Sequence, residues 1–166
     1  MSADVRPRVG ISRCLLGDEV RYDGGHKLES TLIDELGSVV EWVPVCPEVE
    51  VGMGVPREPI QLVTDGRGLR LVGVASGVEW TDRMQTWAQR RLTELGGLGL
   101  SGFVLKARSP SCGLRDVPIR GAVPGLGMFA AALTAALRDL PVEDEERLRD
   151  PQLRAVFLAR VHGYRG

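Results

Sequence analysis

Three cysteines carry the widest chemical repertoire in this 166-residue chain: Cys14, Cys46 and Cys112. Each ends or closely follows an apolar run and sits in a loop rich in Gly, Pro or Ser, in "GISRC", "VPVCPE" and "VLKARSPSCG". Taken singly, a free cysteine is most often a small buried hydrophobe. Their spacings of 32 and 66 residues match neither the short paired C-x-x-C of structural zinc nor the dense even framework of a secreted scaffold. Three thiolates brought together would leave one coordination position open. Zinc could complete a tetrahedron there with His26 or water. A 4Fe-4S cluster held by three thiolates would keep one iron without a protein ligand, suited to Lewis-acid chemistry. The residues alone leave both alternatives open.

Other groups near these thiols could move protons or hold a ligand. Glu48 lies two residues after Cys46, as either a surface carboxylate or a general base. Ser109 and Ser111 flank Pro110, a pattern that suits a hydrogen-bonded turn as well as a proton relay, and the residues do not separate the two serines. Arg21 and Tyr22 stand in "RYDGG", a strong turn signal that could also cover a ligand. Arg57, in "VPRE", reads chiefly as the partner of a carboxylate. "GLGMFA", residues 125–130, has the G-x-G-x-x-A form of a phosphate cradle, but it comes late in the chain and lacks a convincing ribose-binding acid. It reads first as close packing through small residues, with Gly127 at a helix start beside a substrate pocket.

The elements that must position these residues alternate. "RVGIS" (8–12) reads as a buried strand, "KLESTLIDEL" (27–36) as a helix stopped by Gly37, and "SVVEWVPV" (38–45) as a second strand. The stretch from Cys46 to Pro59 is broken by three prolines. "IQLVTDGRGLRLVGV" then predicts a hairpin turning at Asp65 and Gly66, an edge ribbon for the sheet. Further on, residues 78–95 predict a helix, 101–107 a third buried strand, 125–140 an alanine-rich helix, "LPVED" a last strand and the region from about Glu143 a charged helix. This order predicts an α/β fold, a single Rossmann-like three-layer domain over 1–166 with a mainly parallel sheet. In such sheets ligands bind outside the carboxyl ends of the strands, so three thiols that follow strands would share one rim.

Composition narrows the classes of partner. With 21 basic and 22 acidic side chains the formal net charge is -1, which gives no overall positive field for nucleic acid. No apolar run approaches a membrane span and the first residues lack a signal-peptide core, so a cytoplasmic protein is expected.

The segments "ISRCLLGDEVRYDGGHK", "VPVCPEVEVGMGVPRE" and "VLKARSPSCG", in this order, closely resemble the thiouracil desulfurase family, also known as domain of unknown function 523. The resemblance covers roughly residues 9 to 140. It implies that Cys14, Cys46 and Cys112 hold a 4Fe-4S cluster whose fourth iron takes sulfur from a thiolated pyrimidine base such as thiouracil, releasing sulfide without redox change. It further implies that Glu48 is the catalytic acid/base and Ser109 its partner, with Arg21, Tyr22, Ser111 and Gly127 as weaker substrate candidates. A noncatalytic zinc-binding or interaction domain using the same cysteines is the alternative. After "SPSCG" the chain reads "LRDVPIRGAVPGLGMF", where many relatives have a Tyr-Asp-Gly-Thr-Phe-like stretch. That departure bears on the substrate more than on the cluster.

Overall fold

The computed structural model describes residues 5–164. In chain order, β1 (Arg8–Ser12) leads through a 3-10 turn at Arg13–Leu16 to helix α1 (Ser30–Leu36), and β2 (Glu41–Val45) runs directly into the single-turn helix α2 (Pro47–Glu50). The hairpin of β3 (Ile60–Asp65) and β4 (Gly68–Gly73) precedes the long helix α3 (Thr81–Gly97). Then come β5 (Gly102–Leu105), the short β6 (Ile119–Arg120), helix α4 (Met128–Ala136), β7 (Val142–Asp144), a 3-10 turn at Arg147–Arg149 and helix α5 (Pro151–Gly163). Among the described residues no helix is long and apolar enough to cross a membrane.

The main sheet has the order β2-β1-β5-β7 and all its pairings are parallel. Helices cover both faces, which is why its central strands are continuous apolar runs rather than alternating ones. Successive side chains of β5 divide between the faces. Val104 joins Val9 and Ile11 against Leu32 and Leu36 of α1 and Phe157 and Val161 of α5. Phe103 and Leu105 pack on the other side with Trp87 and Leu95 of α3 and Phe129 and Leu133 of α4. Phe129 sits between Trp87 and Phe103, with ring centroids 5.3 and 5.9 Å away. Gly10 pairs with Phe103 across the sheet, and an added Cβ would lie 2.3 Å from that ring, so the ring occupies the space a side chain would take. The expected three-layer α/β architecture is present.

Several expected boundaries moved, each for a local reason. The hairpin is not an edge ribbon on the main sheet: β3 pairs with β4 on one side and, in parallel, with β6 on the other, making a separate three-stranded sheet. The first helix starts at Ser30 rather than Lys27, because the N–H groups of Lys27 and Glu29 are bound to the carbonyls of Cys14 and Leu15. α3 starts at Thr81 because residues 78–80 are hydrogen-bonded to β4. The last helix starts at Pro151 instead of near Glu143. Asp150 is its N-cap, accepting from the Gln152 N–H at 2.8 Å, and Pro151 takes the first helical position.

Candidate active site

Parallel pairing puts the ends of β1, β2 and β5 on one edge, and β1 and β5 flank the point where the strand order reverses. A cavity of about 330 Å³ opens there. Cys14, Cys46 and Cys112 all line it, together with Glu48, Ser109 and Ser111. The three thiols are free and buried. Burial pushes the Cys14 thiol up to about 11, against the opposing pull of the Lys106 and Arg21 charges. Burial likewise pushes up Cys46, and it pushes up Cys112 against a hydrogen bond from the Ser12 side chain. The thiols also raise one another: Cys46 acts on Cys14, and both act on Cys112. Bare thiolates are therefore unfavourable here, and a positively charged group that bound them would relieve both burial and mutual repulsion.

Glu48 belongs to the first turn of α2, directly after Cys46, and its carboxylate accepts at both oxygens. Oε1 takes the Arg57 Nε and Nη2 donors at 3.1 and 2.8 Å, and Oε2 takes the Ser111 hydroxyl at 2.9 Å. Arg57 also donates to the carbonyls of Gly54 and Val20, both at 2.8 Å, so one guanidinium fixes the carboxylate and joins two loops. The expectation that Arg57 pairs with a carboxylate holds, and Glu48 is that carboxylate.

The two serines are distinguishable. Ser109 Oγ accepts the backbone N–H groups of Ser111 and Cys112 at 3.2 and 3.0 Å, and lies 3.1 Å from Ser111 Oγ. Ser111 has one hydroxyl proton and gives it to Glu48, so the contact between the hydroxyls is donated by Ser109. The result is a directed chain, Ser109 to Ser111 to Glu48. Ser111 is buried, whereas Ser109 is partly exposed at the cavity wall.

Of the remaining candidates, Arg21 and Tyr22 line the cavity, the Arg21 guanidinium carbon 5.8 Å from the Tyr22 ring centre. Gly127 is placed differently: it packs against the back of the Ser109–Cys112 loop and does not line the cavity. The N–H groups at this helix start are spent on loop carbonyls, Gly127 on Gly113, Met128 on Pro110 and Ala130 on Ser111, at 2.7 to 3.0 Å. They are not open to a phosphate, and the packing reading of "GLGMFA" is the one the structure bears out. His26 is exposed, does not line the cavity, and accepts the Leu28 N–H through Nδ1 at 3.1 Å. Residue-by-residue reasoning passed over Ser12, Lys27 and Lys106, which also line the cavity. Their positions, at the end of β1 or just after β5 and in the Gly-rich loop between, were the available signal.

Known proteins resemble this chain over most of its length. A family model described as 2-thiouracil desulfurase matches residues 9–145. The uncharacterized protein YbbK of Bacillus subtilis (strain 168) is 31% identical over 135 residues, covering 76% of this chain and 86% of its own. The solved structure of a 4Fe-4S-dependent thiouracil desulfidase, TudS, is 32% identical and superposes with a TM-score of 0.70, covering 93% of this chain and 99% of that one. With the matched region spanning all three cysteines, Glu48 and both serines, the chain belongs to the 2-thiouracil desulfurase family.

Proposed function

We propose that this protein removes sulfur from a thiolated pyrimidine base, with Cys14, Cys46 and Cys112 holding a 4Fe-4S cluster and Glu48, Ser111 and Ser109 managing the protons. The donor set fits such a group. Three free thiols line one cavity, soft donors of the kind that hold iron-sulfur clusters. His26, one of the two fourth ligands open to zinc, is outside the cavity, which leaves that alternative with water. Bound there, the cluster would supply a thiophilic Lewis acid for the departing sulfur.

The chain's own residues have to deal with water. Exchanging C=S for C=O consumes one water, places its oxygen on the ring carbon and releases its two protons with the sulfur as hydrogen sulfide. Glu48, adjacent to the Cys46 ligand position and held by Arg57, is the general base for that water. The Ser109–Ser111 chain gives it a proton path to the cavity wall, so base and substrate need not touch directly. Arg57 keeps the carboxylate from rotating away. The hydrogen bond from Ser111 to Glu48 carries this reading, because it joins the Cys112 loop to the Cys46 loop at the thiol site.

The test is sulfide release from 2-thiouracil and 4-thiouracil by protein reconstituted anaerobically with iron and sulfide, with iron measured on the same sample. Release that depends on bound iron is the expected result. Full iron loading without release from either base moves the substrate elsewhere, and a colourless protein that takes zinc and releases nothing supports the noncatalytic alternative.

A further inference from the structure

Lys106 and Glu145 form an ion pair that the proton chain does not use. Lys106 Nζ lies 3.0 Å from Glu145 Oε1 and donates to the Ala107 carbonyl at 2.9 Å. Glu145 is only 2% exposed, and its two oxygens also accept the Ala107 N–H, at 3.0 and 2.8 Å. The backbone N–H of Lys106 donates to Ser12 Oγ at 2.9 Å, tying the lysine to the strand end two residues before Cys14. Lys106 lines the cavity and Glu145 stands behind it, outside the lining. Lys106 is thus held from behind by a buried carboxylate, while its side chain forms part of the cavity wall that the three thiols share.

As a stability device such a pair is a poor choice, because removing both charges from water costs about as much as their attraction returns. As a way of fixing one positive charge beside three thiols it is effective. The other strongly paired cations of the cavity wall are oriented differently: Arg57 is matched by Glu48, which itself lines the cavity, while Arg13 and Arg108 pair with Asp18 and Glu146 near the surface.

We propose that Lys106, held in place by Glu145, is the internal counter-charge of the thiolate site, a positioning residue that stabilises the anionic, sulfur-rich group held by Cys14, Cys46 and Cys112. This rests on the reading that the three cysteines hold a 4Fe-4S cluster. A fixed cation beside the cluster favours the more negative oxidation level, so it raises the potential at which the cluster accepts an electron. It also favours thiolate over thiol and so slows loss of the metal.

Lys106→Met alone would leave Glu145 buried without its partner and could unfold the chain. The informative variant is Lys106→Met with Glu145→Gln, where the glutamine still accepts the Ala107 N–H, beside Lys106→Arg, which keeps the charge. After anaerobic reconstitution, the readouts are the cluster's midpoint potential and its rate of loss to EDTA, with thermal unfolding of the cluster-free protein as the check on the fold. The double variant is expected to unfold near the wild-type temperature, to reduce at a lower potential, and to lose its cluster about 10-fold faster or more. Lys106→Arg is expected to stay near wild type. A double variant with wild-type potential and wild-type retention overturns the inference and assigns the pair to the cavity wall alone. Wild-type protein that takes up no cluster sinks the underlying reading, and this inference with it.

Discussion

Ser111 hands its only hydroxyl proton to Glu48, 63 positions away in the chain, across 2.9 Å. That contact joins the loops that carry Cys46 and Cys112 and puts Ser111 between Ser109 and Glu48 in the hydrogen-bonded chain, the middle of the proposed relay. Ser111→Ala is expected to cut the relay while leaving the neighbouring backbone bonds of Ser109 in place. Sulfide release at saturating thiouracil should fall about 10²- to 10⁴-fold, the usual worth of a positioned proton-transfer group. Ser109→Ala should do similar damage and also free the Ser111 and Cys112 N–H groups. If Ser111→Ala turns over like wild type, protons reach Glu48 by another path.

Glu48 and Cys46 are neighbours with separable roles. Glu48→Gln keeps an oxygen to accept from Ser111 or Arg57, so iron content and visible absorbance should match wild type while sulfide release is lost. Cys46→Ser should give the opposite order of events, with iron binding lost first and activity lost as a result. Absorbance and iron assays on both variants, before any kinetics, decide it. Loss of iron in Glu48→Gln would make the carboxylate a structural part of the thiol site.

Arg57 is largely shielded, with 7% of its side chain exposed against 16% for Glu48, so its charge cannot be replaced by water. Arg57→Met leaves Glu48 with an unpaired oxygen and releases the carbonyls of Gly54 and Val20. Breaking one side of such a pair costs about 3–5 kcal/mol, and urea unfolding of the cluster-free protein should show it. Arg57→Lys should recover only part, since a single ammonium cannot reproduce the fork that reaches Glu48 and both carbonyls. A wild-type midpoint for Arg57→Met would mean that solvent reaches this carboxylate freely.

The parallel sheet was legible in the sequence because its strands are buried on both faces and read as unbroken apolar runs, and the thiol rim followed from each cysteine lying just past such a run. What connects the rim was not legible. Ser109 and Ser111 look alike in "SPSC" until Glu48 arrives from a distant loop, and nothing local marks Glu145 as the partner of Lys106, 39 residues before it. Strand β6, only two residues long, is too short to show a period, so the sequence pattern points the hairpin to the edge of the main sheet and does not reveal the second sheet. "GLGMFA" has the letters of a phosphate cradle, but whether a helix N-terminus is open or already occupied by carbonyls is a tertiary fact.

That occupied N-terminus gives the relay its support, and Gly127 is where it can be tested. Its φ of -64° suits any residue, so only space forbids a side chain. An added Cβ would lie 2.6 Å from both the carbon and the oxygen of the Ser111 carbonyl and 2.8 Å from the Ser109 oxygen. These are backbone atoms that cannot rotate aside. Gly127→Ala should therefore cost about 1–3 kcal/mol by overpacking and, by pushing the serine loop toward the cavity, lower turnover beyond what the lost stability explains. Gly96→Ala in α3 is the contrast: its Cβ would meet nothing within 4 Å, and the helix should gain about 0.5–1 kcal/mol. Thermal unfolding and sulfide release on the two variants should move in opposite directions for stability and diverge for activity. If Gly127→Ala keeps both, the loop yields without cost and the serines are held by the Glu48 contact alone.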